Sequence, residues 1–244
     1  MSYASLTSTP PTALLLELSG GLVDFGARTL PAALHRLYPD ASGHRPASSP
    51  AEALRELLGR PPQPGELHDL QHSLAEVAEQ HAEPTPGATV LLQYLQAQQI
   101  PHAWLSSLPD AVSSRLSRTL PAAGQIACTN QARPWPAPDS CWQALSQLHI
   151  DSLDGCVLVS GNPLLIRAGL NAGCWTIGLA SCGPLCGLAP ADWQALDSTE
   201  QERRRAVATL ELYRVGAHSV IDHLEDIGPS LDDISARRLR GEKP

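Results

Sequence analysis

Apolar residues fall along this chain in short runs separated by stretches of helical spacing. Residues 14–18 form a buried-strand run, and a Gly20-Gly21 turn follows it. From about Arg28 to Pro86 no comparable strand appears. Residues 51–59 and 67–81 carry helical spacing punctuated by Pro61, Pro62 and Pro64, so this segment reads as a helical insert. After Pro84-Thr85-Pro86-Gly87 the pattern predicts a helix over 88–99, a strand over 102–105, a helix over 110–120 and a short strand near Ile126. A helix over 140–148, a strand over 156–159, a helix over 164–172, a strand over 175–179 and a late strand at Ser219-Val220-Ile221 complete it. Strands alternating with helices imply an α/β protein with a parallel sheet, right-handed crossovers and a Rossmann-like core. Chemistry in such sheets collects at the carboxyl ends of the strands. That rule gathers Glu17, Ser106, the loop around Arg133 and the segment 160–162 around one crevice.

Composition narrows the setting. A chain of 244 residues that is 43% hydrophobic suffices for one substantial core and a small accessory domain. The apolar runs at 13–16 and 90–92 are far too short to span a membrane, and Met1-Ser2-Tyr3-Ala4 lacks the basic start of a signal peptide, so a cytoplasmic location is the expectation. A net charge of -8 opposes binding to nucleic acid or to an anionic membrane. The Arg203-Arg204-Arg205 triplet lies in a Glu/Gln/Arg-rich helical stretch and reads as a solvated face. The six cysteines, Cys128, Cys141, Cys156, Cys174, Cys182 and Cys186, include no CxxC pair, which indicates neither a zinc site nor a disulfide scaffold. The single lysine is Lys243. Arginine cannot replace lysine as an amine nucleophile toward a carbonyl, so imine chemistry has no group elsewhere in the chain.

Several segments carry a resemblance. Residues 13–26 are similar to the first catalytic motif of the haloacid dehalogenase superfamily, and Ser106-Ser107 follows a strand as that frame requires. Ala132-Arg133-Pro134-Trp135-Pro136 resembles a Gly-Arg-Pro-aromatic-Pro segment of phosphonoacetaldehyde hydrolases. Residues 168–178 and the tail 216–222 resemble the same family and discriminate best. The resemblance spans almost the whole chain and is weakest in the insert. It implies a haloacid-dehalogenase-like core over 1–27 and 86–244 and a helical cap over 28–85. It also implies magnesium, and pairing of two chains, alike or different, through the cap helices.

Carried over position by position, the resemblance exposes departures. Glu17 stands at the aspartate nucleophile; its added methylene displaces the attacking oxygen by roughly 1 Å, which can cost on the order of 10²-fold in a geometry-dependent step. Ser19 stands where relatives carry a second aspartate or a small apolar residue, leaving no strong general acid. Gap-free alignment puts Gly161 and Leu165 at the two acidic metal positions, while a one-residue shift offers Asn162, a neutral ligand. Magnesium relies on one or two carboxylates plus the substrate phosphate, so no tight magnesium site and no other cofactor are expected. In the insert, residues 44–52 place Pro50 or Ala51 at the imine-forming lysine, so a carbanion formed by phosphorus departure has no electron sink.

The remaining groups suggest a small anionic ligand, held by Ser106, by Asn162, by the Arg133 fork and by the backbone N–H groups of Gly20 and Gly21. Against that, Ser106 can simply end a strand, and an Arg133–Glu17 ion pair is expected ahead of phosphate binding. Asp24 reads as a turn or helix-cap residue. His68 and His72 share a helix face but lack the glutamate of the metalloprotease pattern, and they read as surface residues; His218 and His223 read as strand-end hydrogen-bonding groups. Ser160-Gly161-Asn162 is no nucleophile elbow. The expectation is therefore a non-catalytic phosphonoacetaldehyde hydrolase homologue, a pseudoenzyme kept for binding or assembly. The alternative is a weak hydrolase of the same superfamily that uses Glu17 on a small phosphate or phosphonate ester.

Overall fold

The computed structural model describes residues 10–40, 47, 49–121 and 133–244, and the backbone of 125–128. Ala132, His44, Arg45, Pro46, Ser48 and the first four residues, invoked above, lie outside that set.

Six parallel strands are described: β1 (Ala13–Glu17), β2 (His102–Ser106), β3 (Gln125–Cys128), β4 (Cys156–Ser160), β5 (Trp175–Leu179) and β6 (Ser219–Ile221). Their order is β3-β2-β1-β4-β5-β6. The chain winds outward on one side of β1, returns, and winds outward on the other side, so the direction reverses between β1 and β4. Helices supply the crossovers: α4 (Ala88–Ala97), α5 (Asp110–Leu116), α6 (Asp139–Gln147), α7 (Pro163–Ala172), the pair α8 (Pro190–Ala195) and α9 (Ser198–Arg214), and a terminal α10 (Ile227–Leu239). Three more helices, α1 (Thr29–Leu37), α2 (Pro50–Leu58) and α3 (Pro64–Ala78), lie between β1 and α4.

The strands are legible because both faces of a parallel sheet are covered, which makes their sequences nearly all apolar. Residues on β1 divide by alternation. Leu14 and Leu16 join a layer with Trp104, Val157 and Val159, whereas Ala13 and Leu15 join the opposite layer with Leu105, Leu145 and Leu158. The first layer continues through Leu18, Leu22 and Phe25 into Leu34, Leu54, Leu70 and Leu74 of the insert.

Helix ends follow local chemistry. The Ser49 side chain accepts the Glu52 N–H, Pro50 opens α2, and Gly59 closes it in the left-handed region at φ 65°. A reciprocal Gln63–Glu66 capping box starts α3. Asp24 caps α1: its carboxylate accepts the Arg28 and Thr29 N–H groups and the Ser19 hydroxyl. The two chain passages between core and insert lie side by side, with Asp24 N–H donating to Glu83 O, Thr85 N–H to Leu22 O, and Arg28 paired with Glu83.

Candidate functional site

Register brings Glu17 and Ser160 together at the reversal point. Leu16 lies beside Val159 on the neighbouring strand, so the next residues, Glu17 and Ser160, end β1 and β4 side by side. The extra methylene of glutamate carries its carboxylate into the loop after β4. There Glu17 Oε2 accepts three hydrogen bonds, from Ser160 Oγ at 2.7 Å, Gly161 N at 3.0 Å and Asn162 N at 3.2 Å. Those amides lead directly into α7, whose N-terminal dipole also favours a negative group. Burial works in the opposite direction and dominates. It raises the Glu17 carboxyl from 4.5 to about 7, against the lowering by Ser160, Gly161 and Asn162.

Gly161 is a packing position. A side chain there would put its Cβ 2.5 Å from Gly183 Cα and 3.0 Å from Leu179 O; a Cβ on Gly183 would in turn lie 2.6 Å from Gly161 Cα. The loops after β4 and β5 thus meet backbone to backbone. Leu165 is fully buried in the layer that holds Leu15 and Leu158. Asn162 caps α7, its Oδ1 accepting the Leu164 N–H.

A cavity of about 280 Å³ opens beside Glu17, between the carboxyl ends of the strands and the insert. Its wall combines Glu17, Ser19, Ser106 and Asn162 with Trp135, Leu105 and Leu108 of the core, and with Leu30, Pro31 and Ala53 of the insert. The Ser106 hydroxyl accepts the Leu108 N–H and the Ser113 hydroxyl, so it orders its own turn as well as lining the cavity. Ser19 lines the cavity while donating to Asp24.

Three expected anion ligands, Arg133, Gly20 and Gly21, are placed otherwise. Arg133 does not pair with Glu17. It is exposed and donates to both carboxylate oxygens of Asp139, a partner six residues away that local geometry favours over a buried group across the crevice. The Gly20 amide is committed to Val23 O at 2.8 Å, and neither Gly20 nor Gly21 lines the cavity. Gly21 is required for another reason: a Cβ there would lie 2.2 Å from Glu17 O. Arg133→Ala should consequently leave thermal stability and every ligand response of the cavity unchanged, as thermal melts with and without ligand would show.

Other candidate chemistry is structural. His68 and His72 are exposed, His72 beside Glu76 at 3.3 Å. His218 Nδ1 accepts the Thr176 N–H at a strand edge. Burial raises the thiols of Cys141, Cys156, Cys174, Cys182 and Cys186, which suits packing and not nucleophilic attack. Among the described residues no three His, Cys, Asp or Glu side chains gather as metal ligands. Sequence reasoning missed the apolar wall from the insert and the loop after β5, which supplies Pro184 and Gly187. The Cys182-Gly183 and Cys186-Gly187 pairs directly after a strand were the available signal for that loop.

The doubly wound sheet, the carboxyl group at the end of β1 and the helical insert after it define a haloacid-dehalogenase-type α/β protein. The solved structure of a phosphonoacetaldehyde hydrolase like protein from Oleispira antarctica superposes with a TM-score of 0.84 at 25% identity, covering 98% of each chain. A haloacid dehalogenase family hydrolase from Deinococcus radiodurans, solved with bound phosphate and sodium, shares the fold at a TM-score of 0.61 and 21% identity over 92% of this chain and 96% of its own. The phosphonoacetaldehyde hydrolase of Bordetella pertussis is 30% identical over 218 residues, 87% of this chain and 75% of that protein. The chain belongs to the phosphonoacetaldehyde hydrolase family. No protein-family model matches it. Among the described residues no helix is long and apolar enough to cross a membrane.

Proposed function

We propose that this family member has given up carbon–phosphorus and phosphate-ester hydrolysis and acts by binding at the cavity beside Glu17. The observation that carries the reading is the capture of Glu17 Oε2 by Ser160, Gly161 and Asn162. Three donors on Oε2 fix the carboxylate in the orientation that the loop after β4 dictates, one methylene farther from the strand than an aspartate, and not in one set for in-line attack on phosphorus.

The donor set does not fit the family's magnesium. Backbone N–H groups cannot ligate a cation, the Asn162 oxygen is engaged in capping α7, and Leu165 is core. Pro50 and Ala51 open α2 where the resemblance placed an imine-forming lysine, and the chain's one lysine lies in the C-terminal tail.

The test is phosphate release from phosphonoacetaldehyde and from simple phosphomonoesters, with magnesium present. No release above the blank is expected, and Glu17→Asp is expected to restore none, because a nucleophile alone supplies neither the metal ligands nor the electron sink. Turnover that disappears in Glu17→Ala would reinstate the second reading, a weak hydrolase of a small phosphate or phosphonate ester. That reading draws on the presence of Glu17 and Ser106 in one cavity wall.

Pairing through the insert belongs to the same proposal. The described residues of 28–85 expose no large hydrophobic side chain, so such pairing would rest on polar and small contacts.

A further inference from the structure

The cavity beside Glu17 is the site of the reading above, and its wall specifies the occupant further. Glu17 is the one charged side chain among the described lining residues, and it is only 5% exposed. Arg133, the group expected to hold an anion, is turned outward to Asp139. A phosphate or phosphonate entering here would meet a carboxylate with no described cation to offset it. A cation meets the reverse situation, since a buried carboxylate that has hydrogen-bond donors but no described counter-charge gains from a matching charge.

The rest of the wall is largely apolar. Trp135, Leu30, Leu105 and Leu108 offer hydrocarbon surface, and an aromatic ring also attracts a cation. The three donors on Glu17 Oε2 hold the carboxylate in place without using Oε1, so a ligand finds the group already oriented.

We propose that the cavity takes a small organic cation, an amine with an apolar body, whose ammonium group sits on Glu17 Oε1 and whose hydrocarbon part lies against Trp135 and the leucines. This rests on the non-catalytic reading of the site. The space, about 280 Å³, suits a one-ring or short-chain amine.

Calorimetric titration of the full chain at pH 8 with benzylammonium, with its neutral isostere benzyl alcohol and with inorganic phosphate tests it. Benzylammonium should bind, the alcohol about tenfold more weakly or worse, and phosphate not at all. Glu17→Gln should reduce benzylammonium to the level of the alcohol. Ala53→Leu, which narrows the insert side of the cavity and leaves Glu17 untouched, should weaken both. Equal binding of alcohol and amine, an unchanged affinity in Glu17→Gln, binding of phosphate in preference, or silence from all three probes would each overturn the proposal. A chain that binds no amine and releases no phosphate from phosphonoacetaldehyde sinks this inference alone, whereas phosphate release sinks the non-catalytic reading.

Discussion

Gly161→Asp is expected to cost about 3 kcal/mol of stability and to create no magnesium site, although it places an acidic side chain where the family resemblance puts a metal ligand. The cause is steric first. Any Cβ at 161 falls 2.5 Å from Gly183 Cα and 3.0 Å from Leu179 O, and both of those are backbone atoms that cannot rotate aside. Residue 161 cannot retreat cheaply either, because its N–H is bonded to Glu17 and its neighbour Asn162 caps α7. The added carboxylate would also sit near a second buried carboxyl. Urea denaturation of Gly161→Ala and Gly161→Asp separates the terms: alanine should cost about 1–3 kcal/mol for the clash alone, and aspartate more. Added magnesium should leave the midpoint of Gly161→Asp unchanged. An aspartate variant as stable as the parent and further stabilised by magnesium would refute the account of this loop.

The second large effect is the loss of the Glu17 contribution to stability between pH 4.5 and about pH 7. A carboxyl that ordinarily titrates at 4.5 and here at about 7 keeps a proton in the folded chain that the unfolded chain has released. Raising the pH through that window therefore favours unfolding. The contribution is flat below the unfolded value and flat again above the folded one, and across the window it amounts to about 3 kcal/mol. Glu17→Gln carries no titrating proton, and its amide oxygen can still accept from Gly161 and Asn162. Its stability should match the parent near pH 4 and exceed it by about 2–3 kcal/mol at pH 8. Chemical denaturation of both proteins at several pH values gives the difference directly, and other groups cancel in it. Parallel curves would show that Glu17 is ionised and well solvated in the fold.

Much of the fold was legible because parallel strands buried on both faces announce themselves as apolar runs; β5 and β6 were placed to the residue. The α1 helix was not, since Pro31 interrupts its pattern and its cap, Asp24, lies several residues ahead of its first turn. Helices α8 and α10 were missed as separate elements, α8 being only six residues long.

At the site, Glu17, Ser106 and Asn162 were placed in one crevice by the strand-end rule, and the cavity wall holds all three. The partner of Glu17 was misjudged because opposite charge does not fix distance: Asp139 lies closer to Arg133 along the chain and needs no desolvation. Gly161 looked like the loss of an acid. Its contact with Gly183 depends on how two loops 22 residues apart along the chain meet in space, and no local pattern records that.

One apolar cluster passes from the sheet into the helical insert without a seam, through Leu18, Leu22 and Phe25 to Leu34 and Leu74. The insert is consequently a poor swinging lid. Lifting it as a rigid body would wet leucines from both sides at once, so the cheaper route for a small guest is a local opening of the cavity wall. A chamber that breathes in this way admits guests by size and greasiness before it tests their charge, and its traffic should slow when the solvent is made more cohesive.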